Sequence, residues 1–516
     1  MDAAVATAFA LAVTRPHYAA LGGGGFIVFC PHSTAPKPIQ CQSIDYREVA
    51  PAAATRNLFI RNGKAMTILS QNGALASGVP GTPAGLLLAL EKFGTQSRHK
   101  ILSRPIALAR KGYTFTSHSE VAALERWQHM NDEAKKLFGC LNSSKQRIPC
   151  PPGTRIRQPD LARVLAELDQ KGPQGFYSGW VAKKIIGGIQ KAGGILTFED
   201  LKSYRPKIRT VIKSQFENYE LVSMPPPSSG GAILAQLLGY AHRADQSQKA
   251  FERGYESVDS LQALIHGMAL SFADRAQYFG DPDYVKIPLA QLLSPTYLDD
   301  RWKTFQTEEA DLPTSGGELG SEPQHTTHLS VIDRYGNTAA LTTTVNDNFG
   351  SGFVPPGTGV VMNDQMDDFS VQPGAPNMFG LVGNEANSIA PRKRPLSSMT
   401  PTILRDSKTG SQIVIGAAGG PRIITSVFLS ILNRVKFKMS LTDAVAAPRI
   451  HQQWKPVTTR IERHGFSPET LDLLKKKGYQ FEEVTTLGKV HALERLPNGR
   501  TLGVPDPRGE GSAVAE

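Results

Sequence analysis

The chain has 516 residues, 40% of them hydrophobic and 20% charged, with a formal net charge of +11. That composition supports a large core and excludes a disordered chain, and no apolar run reaches the ~18 residues that a membrane-spanning helix needs. The basic residues are scattered, with short clusters at Arg392-Lys393-Arg394 and Lys475-Lys476-Lys477, and no nucleic-acid-binding motif accompanies them, so the charge reads as a solvated surface.

In chain order, residues 3–14 predict a helix, and 26–30 with 42–46 predict paired strands. From residue 83 to about 200 the apolar spacing is helical, as in LLLALEKFG, IALARKGY, LARVLAEL and VAKKIIGGIQKAGG. Strands follow at 211–214 and 219–223, then helices at 231–242 and 257–279. Residues 311–324 are rich in Gly, Ser, Pro and Glu and read as an exposed linker. Next comes a β-hairpin. Thr327, Leu329 and Val331 alternate with His328 and Ser330, the period of a half-buried strand. Arg334-Tyr335-Gly336-Asn337 turns the chain, and the Thr-rich stretch 338–345 runs back. Strands at 402–405 and 412–415 and helices at 423–435, 441–447 and 468–477 complete the pattern. Strands and helices cluster in blocks, which predicts an α+β fold and not a doubly wound sheet.

Four cysteines are present, with no CxxC, which argues against a zinc or thioredoxin-type site. Cys30 and Cys41 bracket one loop and Cys140 and Cys150 another. Two local disulfides would fit an oxidising compartment; four buried free thiols fit the spacing equally well. LGGGGF lacks the GK(S/T) ending of a phosphate loop and reads as close backbone packing.

The hairpin segment HTTHLSVIDRYGN, with TTTVNDNFGSG and NDQMDDFS after it, resembles the start of the small subunit of γ-glutamyltranspeptidases, which are N-terminal-nucleophile hydrolases. LGGGGF, IDYREVAP, ASGVPGTPAG, SMPPPSSGG, DRAQYFGDPDYV, RPLSSMTPTI, GAAGGPRIITSV and APRIHQQW extend the resemblance over nearly the whole chain in the family's order. The resemblance implies a four-layer αββα sandwich. It implies a periplasmic or extracellular enzyme and no metal or organic cofactor. DAAVATAFALAV is similar to the family's first helix, normally preceded by a secretion signal, so the expectation is that the natural N-terminus lies upstream.

The resemblance also implies self-cleavage between His325 and Thr326, giving a large subunit, 1–325, and a small subunit, 326–516, that stay associated. The chemistry explains why. A threonine hydroxyl is a poor nucleophile without a base. Cleavage frees the α-amine of Thr326, whose pKa near 7.7–8.0 suits a base at neutrality. Thr344 matches a threonine that supports this nucleophile; Thr342 shares its strand face by parity and Thr343 does not. Arg47 matches the arginine that clamps a substrate α-carboxylate, and Ser397 and Ser398 the hydroxyls beside it. Asn346, Gln365 and Asp368 match the groups facing the α-ammonium. Gly419 and Gly420 match the oxyanion-binding amides. Residues 373–384 match a lid in which Phe379 stands where tyrosine is common, and GAAGG replaces the commoner GSPGG. The implied partners are glutathione or other γ-glutamyl compounds and amino-acid or peptide acceptors. The rival expectations are a related acylase acting on glutaryl-cephalosporins or poly-γ-glutamate, and a non-enzymatic binder of γ-glutamyl peptides.

Overall fold

The computed structural model describes residues 1–32, 40–304 and 326–515; the linker expected at 311–324 lies outside them. Two antiparallel sheets face each other. In the first, Thr327–Ile332 pairs with Thr338–Thr344, then come Gly24–Cys30, Gln42–Asp45 and Lys207–Arg209. In the second the order is Ile212–Phe216, Tyr219–Ser223, Thr402–Asp406, Gln412–Ala418, Lys489–Arg495 and Thr501–Pro505. Helices Asp2–Thr14 and Thr82–Phe93 cover the outer face of the first sheet, and Gly230–Gln248 and Arg422–Val435 that of the second. The result is the four-layer αββα sandwich.

The period-2 geometry of a strand divides its side chains between two cores. Ile27 and Phe29 join Phe9 and Leu86 beneath the outer helices, whereas Phe26 and Val28 join Val414 and Ile403 between the sheets. This corrects the half-buried reading of 327–331. His328 and Leu329 point to opposite faces, yet both are buried, and Thr338–Thr344 is buried throughout. Alternation signals a solvated face only where one face meets water; here both are covered.

Most predicted elements appear within a residue or two. No element is read from the sequence at the strands Lys489–Arg495 and Thr501–Pro505, the helix Pro295–Lys303, the strand Lys207–Arg209 or the small sheet of Ile450–His451, Thr459–Glu462 and Phe481–Val484, and the hairpin Gly139–Leu141/Arg147–Pro149 falls inside the stretch read as helical. In the structure Cys140 is bonded to Cys150 beside that hairpin, and Cys30 to Cys41 between neighbouring strands of the first sheet. The LGGGGF run is packed as close as any backbone can be. A Cβ on Gly22, Gly23 or Gly25 would stand 2.1–2.3 Å from the carbonyl oxygens of Val361, Thr344 and Thr342.

Candidate active site

The nucleophile candidate sits where the first sheet ends. Thr326 precedes the strand Thr327–Ile332, and the register Thr327↔Thr343 places it across from Thr344. Its Oγ1 donates to Thr344 Oγ1 at 3.2 Å, and the Asn346 amide donates to the same Thr344 oxygen at 3.0 Å. Both threonines are buried. Thr342, on the same face, bonds His328 Nδ1 at 2.8 Å, while Thr343 turns away to the Gly24 carbonyl. His328 is buried against Gly416, and burial holds its pKa well below the ordinary histidine value, so it stays neutral. His325 lies outside the described residues.

Thr326 opens onto a cleft. Its walls include Thr344, Asn346, Gln365, Asp368, Ser397, Ser398, Phe379, Gly420 and Arg47, from segments more than 300 residues apart in sequence. Arg47 follows the strand Gln42–Asp45 and is fully buried. Its backbone is fixed from both sides: the amide donates to Asp45 Oδ1 at 2.9 Å and the carbonyl accepts from Tyr204 Oη at 2.9 Å. The guanidinium donates to the carbonyls of Pro395 and Leu396 and pairs directly with Asp368.

Asp368 closes a short 3-10 turn, Gln365–Asp368. Gln365 Nε2 donates to Asp368 Oδ2 at 2.7 Å, leaving Gln365 Oε1 buried with no hydrogen-bond partner among the described residues. The turn hangs on Asn363, whose Oδ1 accepts from the amides of Gly78 and Gln365 and whose Nδ2 reaches the carbonyls of Gly22 and Gly78. Asn346 takes a φ of 84° and directs Nδ2 at Asp364, so its Oδ1 is left for the cleft.

Gly419 and Gly420 form the turn between the strand Gln412–Ala418 and the helix Arg422–Val435. Both hold positive φ, 133° and 57°. Glycine adopts these values without steric cost, and the turn lies at the positive end of the helix dipole. Gly420 lines the cleft; Gly419 sits behind it, packed on Gly488. The Phe379 ring lies on Gly420, so near that a Cβ there would be 2.7 Å from it. The loop 373–384 thus covers the Gly420 end of the cleft. Beside Phe379, Met378 donates its amide to Asp367 Oδ2 at 3.1 Å.

Three residues in or beside this site went unassigned in the sequence reading. Arg275 lines the cleft beside Ser398; its motif, DRAQYFGDPDYV, had been noticed but no side chain in it was given a role. Glu48 is buried behind Arg47, its pKa pushed up to about 8 by burial, so it is neutral at pH 7. Asp367, also buried, is pushed up to about 6, with bonds from Ser70 and Met378 opposing the rise. Adjacent acidic residues in NDQMDDFS gave no signal of which would face the cleft and which the lid.

The sequence model described as Gamma-glutamyltranspeptidase matches residues 1–516. This chain belongs to the γ-glutamyltranspeptidase family. It is 39% identical to the glutathione hydrolase proenzyme of Escherichia coli K12 over 523 aligned residues, 98% of this chain and 86% of that protein. Among solved structures, a cephalosporin acylase from Bacillus halodurans covers the whole chain with a TM-score of 0.81 at 25% identity. A chain of the Helicobacter pylori γ-glutamyltranspeptidase, 36% identical, covers 59% of this chain and 84% of its own length with a TM-score of 0.54. No helix among the described residues is long and apolar enough to cross a membrane.

Proposed function

We propose that this enzyme is a self-cleaving γ-glutamyltranspeptidase of the glutathione hydrolase type, with Thr326 as its nucleophile. In the first step Thr326 Oγ1 attacks the carbonyl carbon of His325. The C–N bond breaks in an N-to-O acyl shift, and water hydrolyses the ester. His325 then carries a carboxylate and Thr326 a free α-amine. Residues 1–325 and 326–516 remain one folded body, because each sheet is built from both, joined where Gly24–Cys30 pairs with Thr338–Thr344 and where Tyr219–Ser223 pairs with Thr402–Asp406.

In turnover the new amine accepts the Thr326 hydroxyl proton as Oγ1 attacks the γ-carbonyl of the donor. The Gly419 and Gly420 amides receive the developing oxyanion, and Thr344 holds the attacking oxygen. Collapse releases the amine, cysteinylglycine when glutathione is the donor, with the proton returned to it. Water or an amino-acid acceptor then takes the γ-glutamyl group from the ester. Arg47, Ser397 and Ser398 bind the donor α-carboxylate; Asp368, the unpaired Gln365 Oε1 and Asn346 Oδ1 receive the α-ammonium.

One observation carries this reading: the Thr326–Thr344 hydroxyl pair opens into the same cleft as the Arg47–Asp368 ion pair. A glutaryl acylase would have no use for Asp368, since its substrate lacks the ammonium. The share of this chain spanned by the H. pylori chain also suits an enzyme built of two cleavage products. The two cystine bridges agree with a periplasmic or extracellular location. The test is Thr326→Ala with intact mass and γ-glutamyl-p-nitroanilide turnover. The variant should stay a single chain of 55.9 kDa with no activity, while the parent gives two fragments and releases p-nitroaniline. Cleavage or turnover in the variant would remove Thr326 from this role.

A further inference from the structure

The tandem serines do not stand alone in the wall of the cleft. Arg275 projects from the helix Val258–Tyr278 and is buried. Its Nη2 donates to Ser398 Oγ at 3.1 Å and its Nε to Ser229 Oγ at 3.0 Å. Ser229 Oγ in turn donates to the Ser397 carbonyl at 2.9 Å, and the Ser229 amide donates to that same carbonyl. One guanidinium therefore reaches both serines, Ser398 directly and Ser397 through Ser229.

We propose that Arg275 is a positioning residue for donor binding: it orients the Ser398 hydroxyl and clamps the Ser397–Ser398 backbone so that both serines present their protons to the α-carboxylate. The inference rests on the donor reading given above. Its basis is hydrogen-bond bookkeeping. A guanidinium only donates, whereas a hydroxyl has one proton and two lone pairs. Ser398 must spend a lone pair on Arg275, and its single proton is left for another acceptor. The contact with a cation also polarises that O–H and makes it a stronger donor. Ser229 is fixed the same way: it accepts from Arg275 and must give its proton to Ser397. Lysine cannot reproduce two divergent bonds from one planar group. Arg275 remains charged at neutral pH, although burial lowers its pKa to about 10.

The test is steady-state kinetics with γ-glutamyl-p-nitroanilide on the processed enzyme, comparing Arg275→Lys, Ser398→Ala and the double variant. Arg275→Lys should raise KM about tenfold and leave kcat within about twofold, because the interaction is made in the ground state and kept in the transition state. The double variant should lose no more than about twofold beyond the worse single variant, the mark of two residues acting as one. An unmoved KM, a loss confined to kcat, or penalties that multiply would overturn the proposal. If Arg275→Lys does not self-cleave, Ser229→Ala decides: KM about two- to fivefold higher with kcat kept supports the relay, and an unchanged KM overturns it. A parent enzyme inactive on this donor would bring down the functional reading itself. An active parent with unmoved variants would bring down only the role of Arg275.

Discussion

The two ends of the cleft are built differently. At the head-group end, two sets of charge-assisted hydrogen bonds lie side by side, Arg47–Asp368–Gln365 and Arg275–Ser398, both anchored in the interior. At the reacting end the hydrogen bonds among the described residues run between neutral groups, two threonine hydroxyls and the Asn346 amide, beside a glycine turn. The difference is instructive. A zwitterionic head group must be matched charge for charge before it leaves water. The reacting carbonyl becomes anionic only in the transition state, so neutral, fixed dipoles serve it best. Recognition and chemistry are thereby separated along one cleft.

The sharpest way to break that separation is to alter each end singly. Arg47→Lys keeps the charge but loses the planar fork and leaves the carbonyls of Pro395 and Leu396 short of donors. It should lower kcat/KM on γ-glutamyl-p-nitroanilide about 10²-fold or more, chiefly through KM. Thr344→Ala should do the reverse: slower self-cleavage and a kcat at least about tenfold lower, with KM little moved. Time courses of fragment appearance and steady-state kinetics read both. If Arg47→Lys lowered kcat alone, the head-group end would belong to the chemistry and the division would fail.

The residues lining the cleft and those supporting them were unequally legible in the sequence. Thr326, Thr344, Gly419, Gly420, Arg47 and Asp368 are reached through short motifs that resemble the family's, not through residue type alone. The supporting residues are harder to read. Asn363 fixes the Gln365–Asp368 turn by bonding backbone of Gly22 and Gly78, and nothing local in NDQMDD announces a contact across more than 280 residues. Arg275 shares its helix with Asp274, and the helical period alone does not tell which faces the cleft. The fold shows the same limit. Segments with a solvated face or a capped helix were found from their period, while the Thr-rich strand, buried on both sides, carried a periodicity that named no outside. Lys489–Arg495 did alternate cleanly, with Val490, Ala492 and Glu494 buried, and was simply passed over.

A smaller effect comes from Asp367, next in sequence to Asp368 but turned from the cleft to the lid. Its carboxylate accepts from Ser70 Oγ and the Met378 amide. Burial raises its pKa from 3.8 to about 6. Between about pH 4 and 6 the folded protein thus holds a proton that the unfolded chain has released. Stability from this group is fully present below pH 4, falls as pH rises to 6, and is level above. The span is on the order of 3 kcal/mol. Asp367→Asn should flatten that part of the melting-temperature profile and change kcat/KM by only about two- to fivefold, through a looser lid. A slope kept in the variant would mean that another group titrates there.

The smallest change tests which end the lid serves. Met378 touches the head-group side, where its sulfur lies 3.5 Å from Asn346 Nδ2, but the Phe379 ring rests on Gly420. A ring in that position excludes water from the turn proposed to receive the oxyanion, which would strengthen its amides as donors. Phe379→Tyr keeps the ring and should hold both kcat and KM within about twofold of the parent. Phe379→Ala removes it and should lower kcat by about three- to tenfold with KM nearly constant, while raising hydrolysis relative to transfer when an amino-acid acceptor is present. The product ratio measured with and without acceptor separates these outcomes. A rise in KM alone would assign the ring to the head group, and the lid would then close over recognition and leave the chemistry open to solvent.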